Sequence, residues 1–191
     1  RHGWSCSDID TFLIRRNIAH NIEAADFDGD GDLDLLFVTE PYFLLRNDGG
    51  RRFFLVDRIY SSRFTHGLSV GDLDKDGDID FVATNRTFGP AAEAAIYFNN
   101  GFGFFPDSIT INTGSCYGGS ALYDFNGDSW LDILFFRGAG AGSLVVYINS
   151  GGVPPLFSDS RRYFIGPYEF NSSGGTIIDA NNDGNFDIFV N

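Results

Sequence analysis

The sequence has no methionine, a single lysine (Lys75) against twelve arginines, and only two cysteines in 191 residues. Its apolar runs are short, such as Leu35–Val38 and Ile133–Phe136. None approaches the ~20 residues that a membrane helix needs. The basic side is so sparse that the formal net charge is −13. Nucleic acid and anionic membranes are therefore unfavourable partners, because like charges repel over roughly a Debye length. No nucleophile–base arrangement, zinc pattern or cofactor fingerprint is present. With no Met and an opening Arg1, the chain reads as a processed chain, a fragment, or part of something longer.

What is present is repetition. Of the 26 acidic residues, 16 lie in four short windows. They are Asp26-Phe-Asp-Gly-Asp-Gly-Asp-Leu-Asp34, Asp72-Leu-Asp-Lys-Asp-Gly-Asp-Ile-Asp80, Asp124-Phe-Asn-Gly-Asp-Ser-Trp-Leu-Asp132 and Asp179-Ala-Asn-Asn-Asp-Gly-Asn-Phe-Asp187. Their first aspartates are 46, 52 and 55 residues apart. Each window runs into an apolar strand pattern: Leu35–Val38, Phe81–Thr84, Ile133–Phe136 and Ile188–Val190. A second motif follows in the first three repeats, as Asn47-Asp-Gly49, Asn99-Asn-Gly101 and Asn149-Ser-Gly151. Asn and Gly tolerate positive φ, so these are hairpin turns. Aromatic segments come next, at Phe53–Val56, Phe104–Phe105 and Tyr163–Ile165.

Each unit thus reads strand, aspartate loop, strand, strand, Asn-x-Gly turn, strand. No helix is expected; Ala91–Ile96 is too short and uncapped. Four antiparallel strands per ~50 residues is the blade of a β-propeller, and an aromatic content of 16% suits blades that stack through large side chains. The fold class is all-β, one propeller domain over 1–191. Its repeats run at about 20–66, 67–118, 119–173 and 174–191, the last joined by N-terminal strands in 3–18. Small residues recur in the segments entering the loops, Ile22–Ala25, Leu68–Gly71, Ser120–Tyr123 and Gly175–Ile178, as an inner ring requires; Glu23 is the one charge there.

These loops and turns resemble the FG-GAP/VCBS repeat of integrin α-subunit propellers and related secreted proteins, over roughly residues 20–191. The resemblance implies a calcium-binding propeller with metal at one face and partners at the opposite face or rim. Ser129 departs from it, standing where Gly is usual. The seven blades usual in that family would need about 350 residues at this period.

Ca²⁺ takes about six to eight oxygens, and alternate residues of a tight loop can turn toward one centre. The expected ligands in the first loop are Asp26, Asp28, Asp30 and Asp34 with the Asp32 carbonyl, Gly31 giving the sharp turn. In the second they are Asp72, Asp74, Asp76 and Asp80 with the Asp78 carbonyl. The third offers Asp124, Asn126, Asp128 and Asp132 with the Trp130 carbonyl. The fourth offers Asp179, Asn181, Asp183 and Asp187 with the Asn185 carbonyl. Asn removes a charge, so the third and fourth loops should bind more weakly, and Ser129 should strain the third. An EF-hand is rejected: its bidentate Glu at position twelve is Phe37, Ala83, Phe135 or Val190 here. Mg²⁺, which prefers rigid octahedral sites retaining water, is a poorer match.

Other features are less specific. Cys6 and Cys116 are either a disulfide, as in a secreted chain, or two separate thiols. Asn85-Arg-Thr87 and Asn171-Ser-Ser173 match the N-glycosylation pattern. His20 and His66 hold equivalent positions six residues before a loop, where the other repeats have Gly118 and Ser173; they read as polar residues at a strand entrance. The glycine-rich 138–142 precedes a strand pattern rather than a helix, against a phosphate loop. Arg51-Arg52 and Arg161-Arg162 read as edge charges that discourage strand pairing.

The expected function is non-enzymatic: a calcium-stabilised extracellular recognition or adhesion module, secreted or at the cell surface, for a glycan or a protein. Two alternatives stand beside it. One is a structural subunit of a surface fibre or matrix, assembled as a homo-oligomer or filament through terminal strands. The other is the accessory propeller of a secreted polysaccharide lyase or phospholipase. Closure is open among three forms: a four-bladed ring closed by the two termini, head-to-tail strand addition between chains, and part of a larger ring.

Overall fold

The computed structural model describes residues 21–38, 41–49, 53–59, 65–85, 93–113, 118–137, 143–152, 154–164 and 174–190. Within them the chain is all-β. The first sheet is β1 (Asn21–Ala25), β2 (Asp34–Val38), β3 (Tyr42–Asn47) and β4 (Phe53–Ile59). The second is β5 (Thr65–Gly71), β6 (Asp80–Asn85), β7 (Glu93–Phe98) and β8 (Asp107–Asn112). The third is β9 (Ser120–Tyr123), β10 (Asp132–Arg137), β11 (Ser143–Ile148) and β12 (Asp159–Phe164). β13 (Gly175–Ile178) and β14 (Asp187–Val190) pair as a fourth, two-stranded sheet. In every sheet the order follows the chain and all pairs are antiparallel. The four strands expected after the windows are β2, β6, β10 and β14. No helix occurs among the described residues, and Glu93–Phe98 is a strand with alternating burial.

The apolar runs are explained by what lies on each face. β6 sends Phe81 and Ala83 into a core shared with the first sheet and Val82 into a core shared with the third. β10 likewise sends Ile133 and Phe135 back toward the second sheet, and Leu134 and Phe136 forward toward β13 and β14. A strand buried on both faces has no polar face to show, hence a continuous apolar run rather than alternation. Consecutive sheets therefore pack face to face. Aromatic rings fill the first interface: Phe81 stacks on Tyr97 at 4.5 Å, and Tyr42 meets both edge-on at 5.9 Å.

One aromatic segment departs from expectation. Phe104 and Phe105 are not in the outer strand, which starts at Asp107. Phe105 instead leaves the turn and plugs the first core, edge-on to Phe81 at 4.8 Å and to Phe27 at 6.0 Å. Burial of the ring prevails over strand pairing there.

The first strands of neighbouring sheets approach closely, as their small residues imply. Ser69 Oγ lies 2.6 Å from Ser120 Oγ, and Thr84 Oγ1 donates to Gly118 O at 2.9 Å. A Cβ on Gly67 would stand 2.5 Å from Gly119 Cα, and one on Gly119 would stand 3.6 Å from Gly174 Cα. Cys6, Cys116, Asn171, His20, the N-terminal strands in 3–18, Arg51-Arg52 and the glycine-rich 138–142 lie outside the described residues. Asn85 closes β6 opposite Thr65, and His66 lies on β5. Arg161 and Arg162 are exposed on β12.

Candidate metal centres in the aspartate loops

Each window is the connection from the first to the second strand of its sheet, and the repeated sequence builds a repeated backbone. Position one is a hub. Asp26 accepts from the amides of Gly29, Asp30 and Gly31 at 2.8–3.1 Å, and Asp124 from those of Gly127, Asp128 and Ser129 at 2.6–3.1 Å. The hub curls the loop tightly, which demands positive φ at two places. Position six supplies it with Gly31 (+92°), Gly77 (+96°) and Gly184 (+85°), while Ser129 is forced to +71°. The strain expected of Ser129 is therefore present. Position four was not foreseen: beside Gly29 and Gly127, the non-glycine Lys75 (+60°) and Asn182 (+58°) are left-handed there. Position five caps position seven, with Asp30, Asp76, Asp128 and Asp183 accepting from the amides of Asp32, Asp78, Trp130 and Asn185 at 2.8–2.9 Å.

Position nine is the buried anchor. Asp34, Asp80 and Asp132 have no exposed surface, and Asp187 is half-buried. Each of the first three accepts one amide from its own loop and one from the asparagine of its own turn. Asp34 takes Phe27 N and Asn47 N at 2.9 and 2.8 Å, Asp80 takes Leu73 N and Asn99 N at 2.9 Å each, and Asp132 takes Phe125 N and Asn149 N at 2.8 Å each. The Asn-x-Gly turn is thus part of the loop's framework rather than a separate hairpin signal. Its glycine is needed twice over: Gly101 has φ +78°, and a Cβ there would lie 2.7 Å from Asp78 Oδ2. Gly49 and Gly151 stand in the same relation to Asp32 and Trp130.

Carboxylates converge in two loops. Asp26, Asp28 and Asp34 each bring an oxygen within 4.8 Å of the others, and so do Asp72, Asp74 and Asp80. In the second loop Asp72 Oδ1 is buried without a hydrogen-bond partner. A buried anionic oxygen left unpaired is strongly unfavourable, and a hard cation among three carboxylates is the chemistry that relieves it. The donor set therefore fits Ca²⁺, with the expected residues in place to hold it. Burial pushes Asp80 up to about 7, and also raises Asp34 and Asp132 from the ordinary carboxylate range. Asp74 is raised by burial and then by the charge of Asp76. In the exposed fourth loop Asp183 is held down by the amide of Asn185 and the side chains of Asn181 and Asn185. In the third and fourth loops Asn126 and Asn181 donate to Asp128 and Asp183 at 2.9 and 3.0 Å, joining positions three and five.

Three contacts escaped the sequence reading. Asp48, the middle residue of the first turn, forms a further group with Asp28 and Asp30. Arg46 forks onto Asp48 and stands 3.4 Å from Asp28, placing a cation against the first loop. Lys75 crosses to the next loop, its Nζ 4.3 Å from the Trp130 ring centre. A charge at the turn's middle position was the one visible hint of the first.

No curated protein matches this sequence. The family model described as FG-GAP-like repeat matches residues 26–83, 72–135 and 124–190, each match running from one aspartate loop to the next. Covering nearly all of the described sheets, these matches establish that the chain belongs to the FG-GAP-like repeat family.

Proposed function

We propose that the chain is a calcium-stabilised recognition module, built on a β-propeller whose blades are the stacked sheets. It acts outside the cell without catalysis, and its ligand is a glycan or another protein. The observation that carries the metal part is the second loop, where Asp72, Asp74 and Asp80 converge and one buried oxygen has no partner. Ca²⁺ there satisfies that oxygen and ties β5 to β6, and the same residues of the other loops do so for their sheets. Propeller architecture is supported by the four-stranded meanders, their face-to-face stacking and the close first strands. Recognition outside the cell rests on the family membership.

The test is calorimetry with Ca²⁺, followed by melting with and without chelator. A site filled at a hundredfold excess over its Kd stabilises by about 2.7 kcal/mol. An unchanged melting temperature in chelator overturns the calcium reading. Binding on arrays of glycans and extracellular proteins is expected only with Ca²⁺ present, and turnover of an acidic polysaccharide would overturn the non-catalytic part.

A further inference from the structure

The turn asparagines do more than close their own loops. Asn99 donates its backbone N–H to Asp80, the buried anchor of the second loop, at 2.9 Å. Its side-chain Nδ2 reaches back 72 positions to the carbonyl of Phe27, in the first loop, at 2.7 Å. The amide of Phe27 in turn donates to Asp34, the buried anchor of the first loop. A continuous path of buried hydrogen bonds thus runs from one anchor carboxylate to the other: Asp34, Phe27, Asn99, Asp80. Asn149 repeats it, donating to Asp132 from its backbone and to Leu73 O at 2.9 Å from its side chain, while Leu73 N donates to Asp80. The path then spans three loops. Among the described residues Asn47 makes the local bonds alone, its Nδ2 donating to Leu33 O of its own loop at 3.2 Å.

We propose that Asn99 and Asn149 are positioning residues that couple neighbouring loops, so that a divalent cation held in one raises the affinity of the next. This rests on the calcium reading above. The physical reason is ordering. A cation gripping Asp80 fixes Asn99 from its backbone, and the fixed amide group fixes the Phe27 peptide, which holds Asp34. The second loop to fill then loses less freedom than the first, which is positive cooperativity without a large change of shape. Buried hydrogen bonds are costly to leave unmade, so the path moves as a unit rather than breaking at one member.

The test is an NMR-monitored Ca²⁺ titration of the ¹⁵N-labelled chain, with the Gly31 and Gly77 amides reporting the first and second loops. Asp28→Ala disables the first loop. Coupling at the low end of the usual range predicts that this weakens the second loop about fivefold. In an Asn99→Asp background, which keeps the acceptor oxygen for the turn but removes the donor, Asp28→Ala leaves the second loop unchanged. Added negative charge alone would tighten both loops without abolishing the dependence, so charge and coupling separate. Asn47→Asp, with no bridge to another loop among the described residues, retains the fivefold effect. Should Asn99→Asp fail to fold, amide exchange at Phe27 in the Asp28→Ala chain carries the test, since filling the second loop slows it only if the path transmits. Two loops that bind Ca²⁺ independently in the parent chain, or a Phe27 amide indifferent to the second loop, overturn the coupling alone. Absence of Ca²⁺ binding in the parent overturns the function reading, and the coupling with it.

Discussion

Gly67→Ala is a sharp probe of the contact between the second and third sheets. Gly67 is not in the left-handed region, so alanine meets no backbone penalty and the effect is purely one of space. Its Cβ would lie 2.5 Å from Gly119 Cα and 2.5 Å from Thr84 Oγ1. The hydroxyl can rotate away, but the Cα belongs to the neighbouring backbone and cannot. The first strands must part by about an ångström, which is overpacking worth about 1–3 kcal/mol. Separation also loosens the Ser69–Ser120 and Thr84–Gly118 hydrogen bonds, worth about 0.5–1.5 kcal/mol each. A total near 3 kcal/mol lowers the melting temperature by about 6–12 °C in a domain of this size. Gly77→Ala calibrates it. At φ +96° with nothing within 4 Å, it carries only the left-handed penalty of about 1 kcal/mol, or about 2–4 °C. Both are read by calorimetric melting in saturating Ca²⁺. A Gly67→Ala chain melting within about 2 °C of the parent, or above Gly77→Ala, refutes the close approach of the first strands.

Acidification should act in opposite directions with and without metal. Burial holds Asp80 near 7 in the folded metal-free chain, against an ordinary 3.8 when unfolded. Between those values the folded state binds the extra proton, so the metal-free melting temperature rises as pH falls from 7 toward 4. In excess Ca²⁺ protons compete for the same oxygens, and the melting temperature falls over that range; parallel pH profiles would contradict this. Asp76→Ala should remove more calcium-dependent stability than Asp128→Ala, because the second loop has the buried unpaired oxygen and the third has the strained Ser129. Equal losses by calorimetry count against the ranking. Arg46→Gln removes a cation 3.4 Å from Asp28, so the first loop should bind Ca²⁺ about two- to fivefold more tightly, and weaker binding would reverse the assignment.

The loops, the strands they enter and the turns were legible because each depends on residues within a few positions of one another. Alternate carboxylates, a glycine at the sharp bend and an apolar run state their own roles locally. The left-handed Lys75 was hidden because its residue type argues against that conformation; the tight curl that brings the Gly77 amide onto Asp72 accompanies it. Phe104–Phe105 misled because aromatic residues suit both a strand and a core, and only the presence of Phe27 and Phe81 decides between them. The double role of Asn99 lies beyond local reading altogether, since its second partner is 72 residues away and known only once the sheets are stacked.

That double role sets where the chain can be cut and rejoined. A repeat would naturally be drawn from one aspartate loop to just before the next. Yet the turn inside one such unit holds the loop of the unit before it, as overlapping roof tiles hold one another down. Excising the second repeat whole would bring Asn149 against the first loop, with Phe27 in the place of Leu73 as acceptor. The bond is to a backbone carbonyl, which every residue type offers, so the seam would heal whatever the side chain. A graft ending between a loop and its turn would instead orphan a buried anchor aspartate. Chimeras and shuffled arrays of these repeats should therefore tolerate junctions just before a loop and fail at junctions between a loop and its turn.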